Sequence, residues 1–137
     1  AVVRKFVTVD EKEKILQRLK VYLKNDAIGM TKDQYLRMIE QTGEEIDWER
    51  CPADIEDFPS SVHTAMNIYN SCGNRMASDI GYMGKDFTNL DLLLDMYNIS
   101  TGIDREWQIE LILFLDGETI RDSQQRMKAE HDKLKRK

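Results

Sequence analysis

Apolar residues recur along this chain at the three-and-four spacing of amphipathic helices, in five separate runs. Ile15, Leu16, Leu19, Tyr22 and Leu23 share one face of a helix that Asp10 opens and Gly29 stops, with Glu11 and Glu13 where the helix dipole favours acids. Thr31 with Gln34 three residues later is a capping-box signature, and Tyr35, Leu36, Met38 and Ile39 follow it before Gly43. A short connector joins these two runs, so they read as a helical hairpin. Pro59 pre-sets helical φ for a third helix with Val62, Ala65, Met66, Tyr69 and Cys72 on one face and Gly73 at its end. Thr88 with Asp91 repeats the capping-box spacing and opens a fourth through Leu90, Leu93, Leu94 and Tyr97, which Asn98 to Gly102 breaks. Leu92 makes this helix apolar nearly all round, as expected of an element that is central in its domain or half-covered by another subunit. Asp104 and Glu106 open a fifth, whose core stripe is Trp107, Leu111, Ile112, Phe114 and Leu115. The pattern predicts an all-α chain: a single helical domain over 1–137, built as a compact bundle of about five helices with a glycine-rich central loop and a long charged C-terminal helix.

Four stretches fall outside the pattern. Residues 1–9 hold Val2, Val3, Phe6, Val7 and Val9, a short β-branched run expected to form an arm, since no second convincing strand accompanies it. Residues 44–58 form an acidic linker with Ile46, Trp48, Ile55 and Phe58 among the acids, and Pro52 forbids one helix through it. Either its aromatic residues dock on the protein's own core, or Trp48 and Phe58 belong to a recognition segment that fills a groove on a partner; exposure of Trp48 separates the two. From Asp79 to Leu90, Gly81 and Gly84 are crowded with Tyr82, Lys85, Asp86 and Phe87, a glycine-hinged turn that aims Phe87 at the core. Last, Gly117 weakens the final helix and marks a bend, after which residues 118–137 form a charged helical tail that frays over 133–137. There Leu113, Ile120, Met127 and Leu134 recur every seven residues, but Gly117, Gln124 and His131 fill the paired positions, leaving half a coiled-coil seam.

Charge sharpens the division. Of 137 residues, 33% are charged and the net charge is -5. Residues 44–57 carry seven acids against Arg50, a balance of -6, whereas 118–137 carry seven bases against four acids, a balance of +3. Such segregation suits self-association or a charged protein partner; a general nucleic-acid binder would show a broad basic face, so nucleic acid enters only through the basic tail. No window approaches the length of a membrane span and no secretory apolar region follows the N-terminus, so a cytosolic setting without membrane contact is expected.

Candidate chemistry is sparse. Cys51, Cys72, His63 and His131 are too few and too scattered for a zinc site or a disulfide framework. Gly81, Gly84 and Lys85 lack the five-residue glycine spacing and following Ser/Thr of a phosphate loop, and the third glycine of a dinucleotide loop. His63 has no carboxylate or serine at relay spacing, Ser60, Ser61 and Ser71 lack a nucleophile-elbow pattern, and Cys51 sits in an acidic segment that disfavours its thiolate. No enzyme, no cofactor and no metal are expected.

One stretch carries a resemblance. Ala65, Ile68 and Tyr69, then Gly81, Gly84, Asp86, Phe87 and Leu90, then Leu94 and Ile99, form a Gly-x-x-Gly-x-Asp-aromatic segment between two helices. This resembles small tail-assembly-type and accessory proteins of tailed bacteriophages over about a quarter of the chain. Asn74-Arg75 replaces the tryptophan-arginine usual in that pattern, and both flanks are longer. The resemblance implies a non-enzymatic assembly factor or minor structural protein, in the cytoplasm of an infected bacterium or in the virion, that binds other phage proteins or a host protein and can form a homo-oligomer. Trp48, Phe58, Tyr82, Lys85, Phe87, Leu90 and Leu93 are the candidate partner-binding residues. The alternative is a phage-encoded regulator of host or phage transcription or replication machinery.

Overall fold

The structure, a computed structural model, describes residues 8–48, 50–99 and 102–135, with the backbone alone for 26–28. It is mostly helical, 68%, with five α-helices and one two-stranded antiparallel sheet among the described residues. Contacts divide the chain into two compact units, Ala1–Pro59 and Ser60–Lys137. No helix is long and apolar enough to cross a membrane among the described residues.

The first unit holds α1 (Val9–Ile28) and α2 (Lys32–Thr42). Thr8, not Asp10, caps α1: its hydroxyl accepts the Glu11 N–H at 3.2 Å while the Glu11 carboxylate accepts the Thr8 N–H at 3.3 Å. Asp10 instead joins Glu11 in the first turn. Residues 1–7 of the expected arm lie outside the described residues. The capping box at Thr31 and Gln34 forms as the spacing predicts, and Gly43 closes α2 in the left-handed conformation, φ 70°. The acidic stretch then returns to the helices. Cys51, Pro52 and Phe58 are buried, Cys51 clusters with Tyr35 and Ile39, and the Tyr35 hydroxyl donates to the Asp47 carbonyl at 3.3 Å. A single 3-10 turn over Ile55–Asp57 ends it, with the Asp57 carboxylate accepting the Asp54 N–H and the Lys32 ammonium.

The second unit contains α3 (Ser60–Ser71), β1 (Gly73–Ala77), β2 (Gly81–Asp86), α4 (Leu90–Met96) and α5 (Ile103–Lys135). Its core is Val62, Ala65, Ile68, Tyr69, Leu94, Trp107, Leu111, Ile112 and Leu115, where α3 packs on α5. Gln108 adds a buried polar tie, donating from Nε2 to the Ser61 carbonyl at 2.8 Å.

The β1–β2 hairpin corrects the all-α expectation. Gly73 does not simply end α3; it starts a strand paired with Asp86, and the glycine-rich stretch expected as a loop is mostly β2. Composition hid it because Gly73, Asn74, Arg75 and Met76 are all exposed, so the pairing rests on backbone hydrogen bonds and leaves no alternation to read. The Ile80 N–H closes the turn on the Ala77 carbonyl at 3.3 Å, and Gly81, φ 83°, supplies the left-handed residue that brings the chain back into register. A register shift follows, since Arg75 pairs with Gly84 but Met76 with Tyr82, leaving Met83 as the extra residue.

Two helix ends also differ from the pattern. Thr88 makes no capping box with Asp91; its N–H and hydroxyl both donate to Asp86 Oδ1, and Asn89 takes the cap position of α4. At the other end Asn98, φ 61°, stands in the left-handed position and the Ile99 N–H reaches back to the Leu94 carbonyl, the stop that the sequence predicts there. α5 runs unbroken through Gly117 for 33 residues, so the bend expected at that glycine does not interrupt the helix.

Candidate functional site

The glycine-rich stretch meets α5 along one stripe. Asp116, Ile120, Ser123 and Met127 are spaced four, three and four apart, one helical face, and they lie against Gly84 and Gly81. A Cβ on Gly84 would stand 3.0 Å from Asp116 Oδ2 and 3.2 Å from the tip of Ile120, while one on Gly81 would meet the Met127 sulfur at 2.8 Å. The two glycines are seats for this chain's own helix. The extra residue at Met83 lets glycines three apart in sequence present to the same partner, where a regular strand would turn them to opposite faces.

Asp116 is the polar centre of that contact. It is buried, and its Oδ1 lies 2.7 Å from the Tyr82 hydroxyl, 3.2 Å from the Tyr69 hydroxyl and 3.1 Å from the Lys85 backbone nitrogen, each a donor to it. The two hydroxyls are also 2.9 Å from each other. Two hydroxyl protons thus serve three oxygen–oxygen contacts, and the shortest edge assigns the Tyr82 proton to the carboxylate. Tyr69 then divides its proton between Asp116 and the Tyr82 oxygen. Burial above all pushes the Tyr82 phenol up, helped by its bonds to Tyr69 and Asp116, and burial likewise raises Tyr69. Both remain protonated donors. Lys85 completes the cluster, its ammonium 3.2 Å from the Cys72 carbonyl just past the end of α3 and 4.8 Å from the centre of the Tyr69 ring. Burial raises the Cys72 thiol, which makes it a poor nucleophile. With the two phenols and the thiol held protonated, the cluster fixes hairpin to helix.

The sequence-predicted contact residues therefore separate. Tyr82 and Lys85 serve the Asp116 cluster, Phe58 is buried and meets Tyr22 edge-to-face at 5.6 Å, and Phe87, Leu90 and Leu93 are half-buried. Trp48 is 67% exposed. By the criterion set above, Phe58 docks on the chain's own core and Trp48 stays available. Sequence reasoning missed Asp116; the signal for it is an acid directly after Leu115 and four residues beyond Ile112, inside the apolar stripe of α5.

The uncovered apolar surface of the second unit lies elsewhere. On α4, Leu92 and Met96 stand one turn apart at 59% and 68% exposure with Tyr97 beside them, and the hairpin exposes Met76, Ile80 and Met83. Arg105 fastens α4 from one side, donating to Asp91 at 2.8 Å, Asp95 at 3.2 Å and the Ile99 carbonyl at 2.8 Å. On the basic tail, Arg121 pairs with Glu118 and Arg126 with Asp122, so acids of the same helix answer both arginines. No group of three or more His, Cys, Asp or Glu side chains that could hold a metal ion occurs among the described residues. Comparison of the chain with protein-family models, with curated proteins and with solved structures gives no match.

Proposed function

We propose that this chain catalyses no reaction and works by non-covalent protein–protein contact, as an assembly factor or minor structural protein of a tailed bacteriophage. The contact part is carried by one observation: α4 turns Leu92 and Met96 outward, one turn apart, while burying only Leu94. Large apolar side chains grouped on a short helix are what a protein partner covers. Methionines on that helix and on the neighbouring hairpin suit an adaptable contact, because an unbranched thioether repacks easily. The phage setting is supported by the resemblance over Ala65 to Ile99 alone, and location in the infected cell or the virion goes with it. The regulatory alternative rests on the basic tail, where Arg121 and Arg126 are paired within the helix and Lys128, Lys133 and Lys135 would have to hold the phosphates.

The test is Leu92→Glu with Met96→Glu, assayed for binding to purified tail and capsid proteins of tailed phages. Both side chains are exposed, so helicity should stay unchanged while binding to the cognate protein falls by about 100-fold, as for loss of a contact centre. Undiminished binding by the double variant would remove α4 as the contact.

A further inference from the structure

The first unit contains a cleft of about 540 Å³ that the protein-contact reading does not use. That volume lies within the range of small-ligand pockets, roughly 300–1,000 Å³. Its apolar lining is Val21 of α1 with Ala53 of the returning acidic segment, backed by the buried Cys51 and Pro52. Pro52 is fully buried, and burial pushes the Cys51 thiol up, so that side chain behaves as a neutral apolar surface. Trp48 forms a wall with two-thirds of its surface uncovered. An indole left open beside an apolar lining offers a flat face for stacking, at low conformational cost because tryptophan has only two side-chain torsions.

The charges on the rim are unequal. Lys32 and Asp57 neutralise one another at 3.3 Å, and Asp57 also accepts the Asp54 N–H, which together with Lys32 holds its carboxyl below the usual range. Arg18 is different. Its guanidinium lies 6.0 Å from the centre of the Phe58 ring and makes no ion pair at contact distance among the described residues; its field reaches Asp57. Two cations against one carboxylate leave the lining with one positive charge, on a side chain whose planar fork matches a carboxylate or phosphate.

We infer that this cleft binds a small planar aromatic anion, its ring against Trp48 over Val21 and Ala53 and its acidic group on Arg18. The inference is independent of the α4 contact, and neither stands on the other.

Two tryptophans give two indole N–H signals in the 15N-labelled full chain, with Trp48 at the cleft and Trp107 buried in the second unit. The probes are 2-naphthoate and 2-naphthylmethylammonium, alike in rings and opposite in charge. Titration with 2-naphthoate should shift the Trp48 signal saturably and leave Trp107 in place, with the cation binding about tenfold more weakly. Arg18→Gln should remove that preference and Trp48→Ala should weaken the anion about tenfold, followed through the Ala53 amide. Retained amide dispersion of α1 and α2 shows that the first unit of each variant is folded. No saturable shift up to the solubility of 2-naphthoate, equal affinity for the two probes, or unchanged affinity in Arg18→Gln would overturn the inference.

Discussion

At Asp116 one carboxylate oxygen gathers donors from α3, from the side chain of β2 and from the backbone of β2. Removing it would leave the Lys85 N–H without its acceptor and the two phenols with only each other, so that one hydroxyl proton goes unmatched at a buried or half-buried position. Asp116→Leu should therefore destabilise by about 2–4 kcal/mol in denaturant titration. Asp116→Asn should cost less than half as much, because its amide oxygen can still accept where Oδ1 does. The same cluster sets the alkaline limit of the fold. Tyr69 and Tyr82 hold their protons more tightly folded than unfolded, so the stability they lend is fully present below pH about 10 and falls as pH rises above it, by up to about 1.4 kcal/mol per pH unit for each phenol. Ultraviolet titration should show these phenols ionising together with the loss of helix, and Tyr69→Phe/Tyr82→Phe should abolish that late step. If both phenols ionise near pH 10 with the helix content intact, the cluster is not closed in the way described.

Elements were legible where one local signal decides them. Thr31, Gln34 and Gly43 bound α2 as the spacing predicts, and the Asn98–Gly102 break ends α4 where expected. Illegible were the features decided by tertiary contact. β1 has no apolar face because it covers nothing, and Gly81 and Gly84 look like a flexible hinge until α5 is seen seated on them. Trp48 and Phe58 lie ten residues apart in the same acidic stretch, and only packing tells that one is covered by Tyr22 and the other left open. Gly117 gives the opposite lesson. It reads as a bend, yet α5 passes through it and an added Cβ would meet nothing within 4 Å. With no close contact to explain it and ordinary helical neighbours, this glycine only enlarges the freedom of the unfolded chain. Gly117→Ala should raise stability by about 0.5–1 kcal/mol, measured by urea unfolding, with no change in helix boundaries. A loss of stability would mean that α5 needs a deformable point there.

At the scale of the whole molecule, each unit has polar ties of its own. The Asp116 cluster, the Gln108 bond to Ser61 and the Arg105 fork all join residues after Pro59, whereas the Tyr35–Asp47 and Lys32–Asp57 ties join residues before it. A fragment covering 60–137 retains these ties of the second unit together with the α3–α5 core. It should unfold cooperatively and keep the late tyrosine ionisation that marks a closed Asp116 cluster. Residues 1–59 have less to work with, because chains of about 60 residues bury only about 60% of their unfolded surface and are marginal without staples. Cys51 is a free thiol and supplies no such staple. The shorter fragment should accordingly show weak, broad thermal unfolding, and an aromatic anion that fills the cleft beside Trp48 should sharpen that transition and raise its midpoint, since a ligand bound only by the folded state stabilises it by mass action. Calorimetry of both fragments, with and without 2-naphthoate, separates the two expectations: the anion should move the transition of 1–59 and leave that of 60–137 where it was. A 60–137 fragment that unfolds gradually, with tyrosines ionising near pH 10, would show that its network depends on the first 59 residues after all.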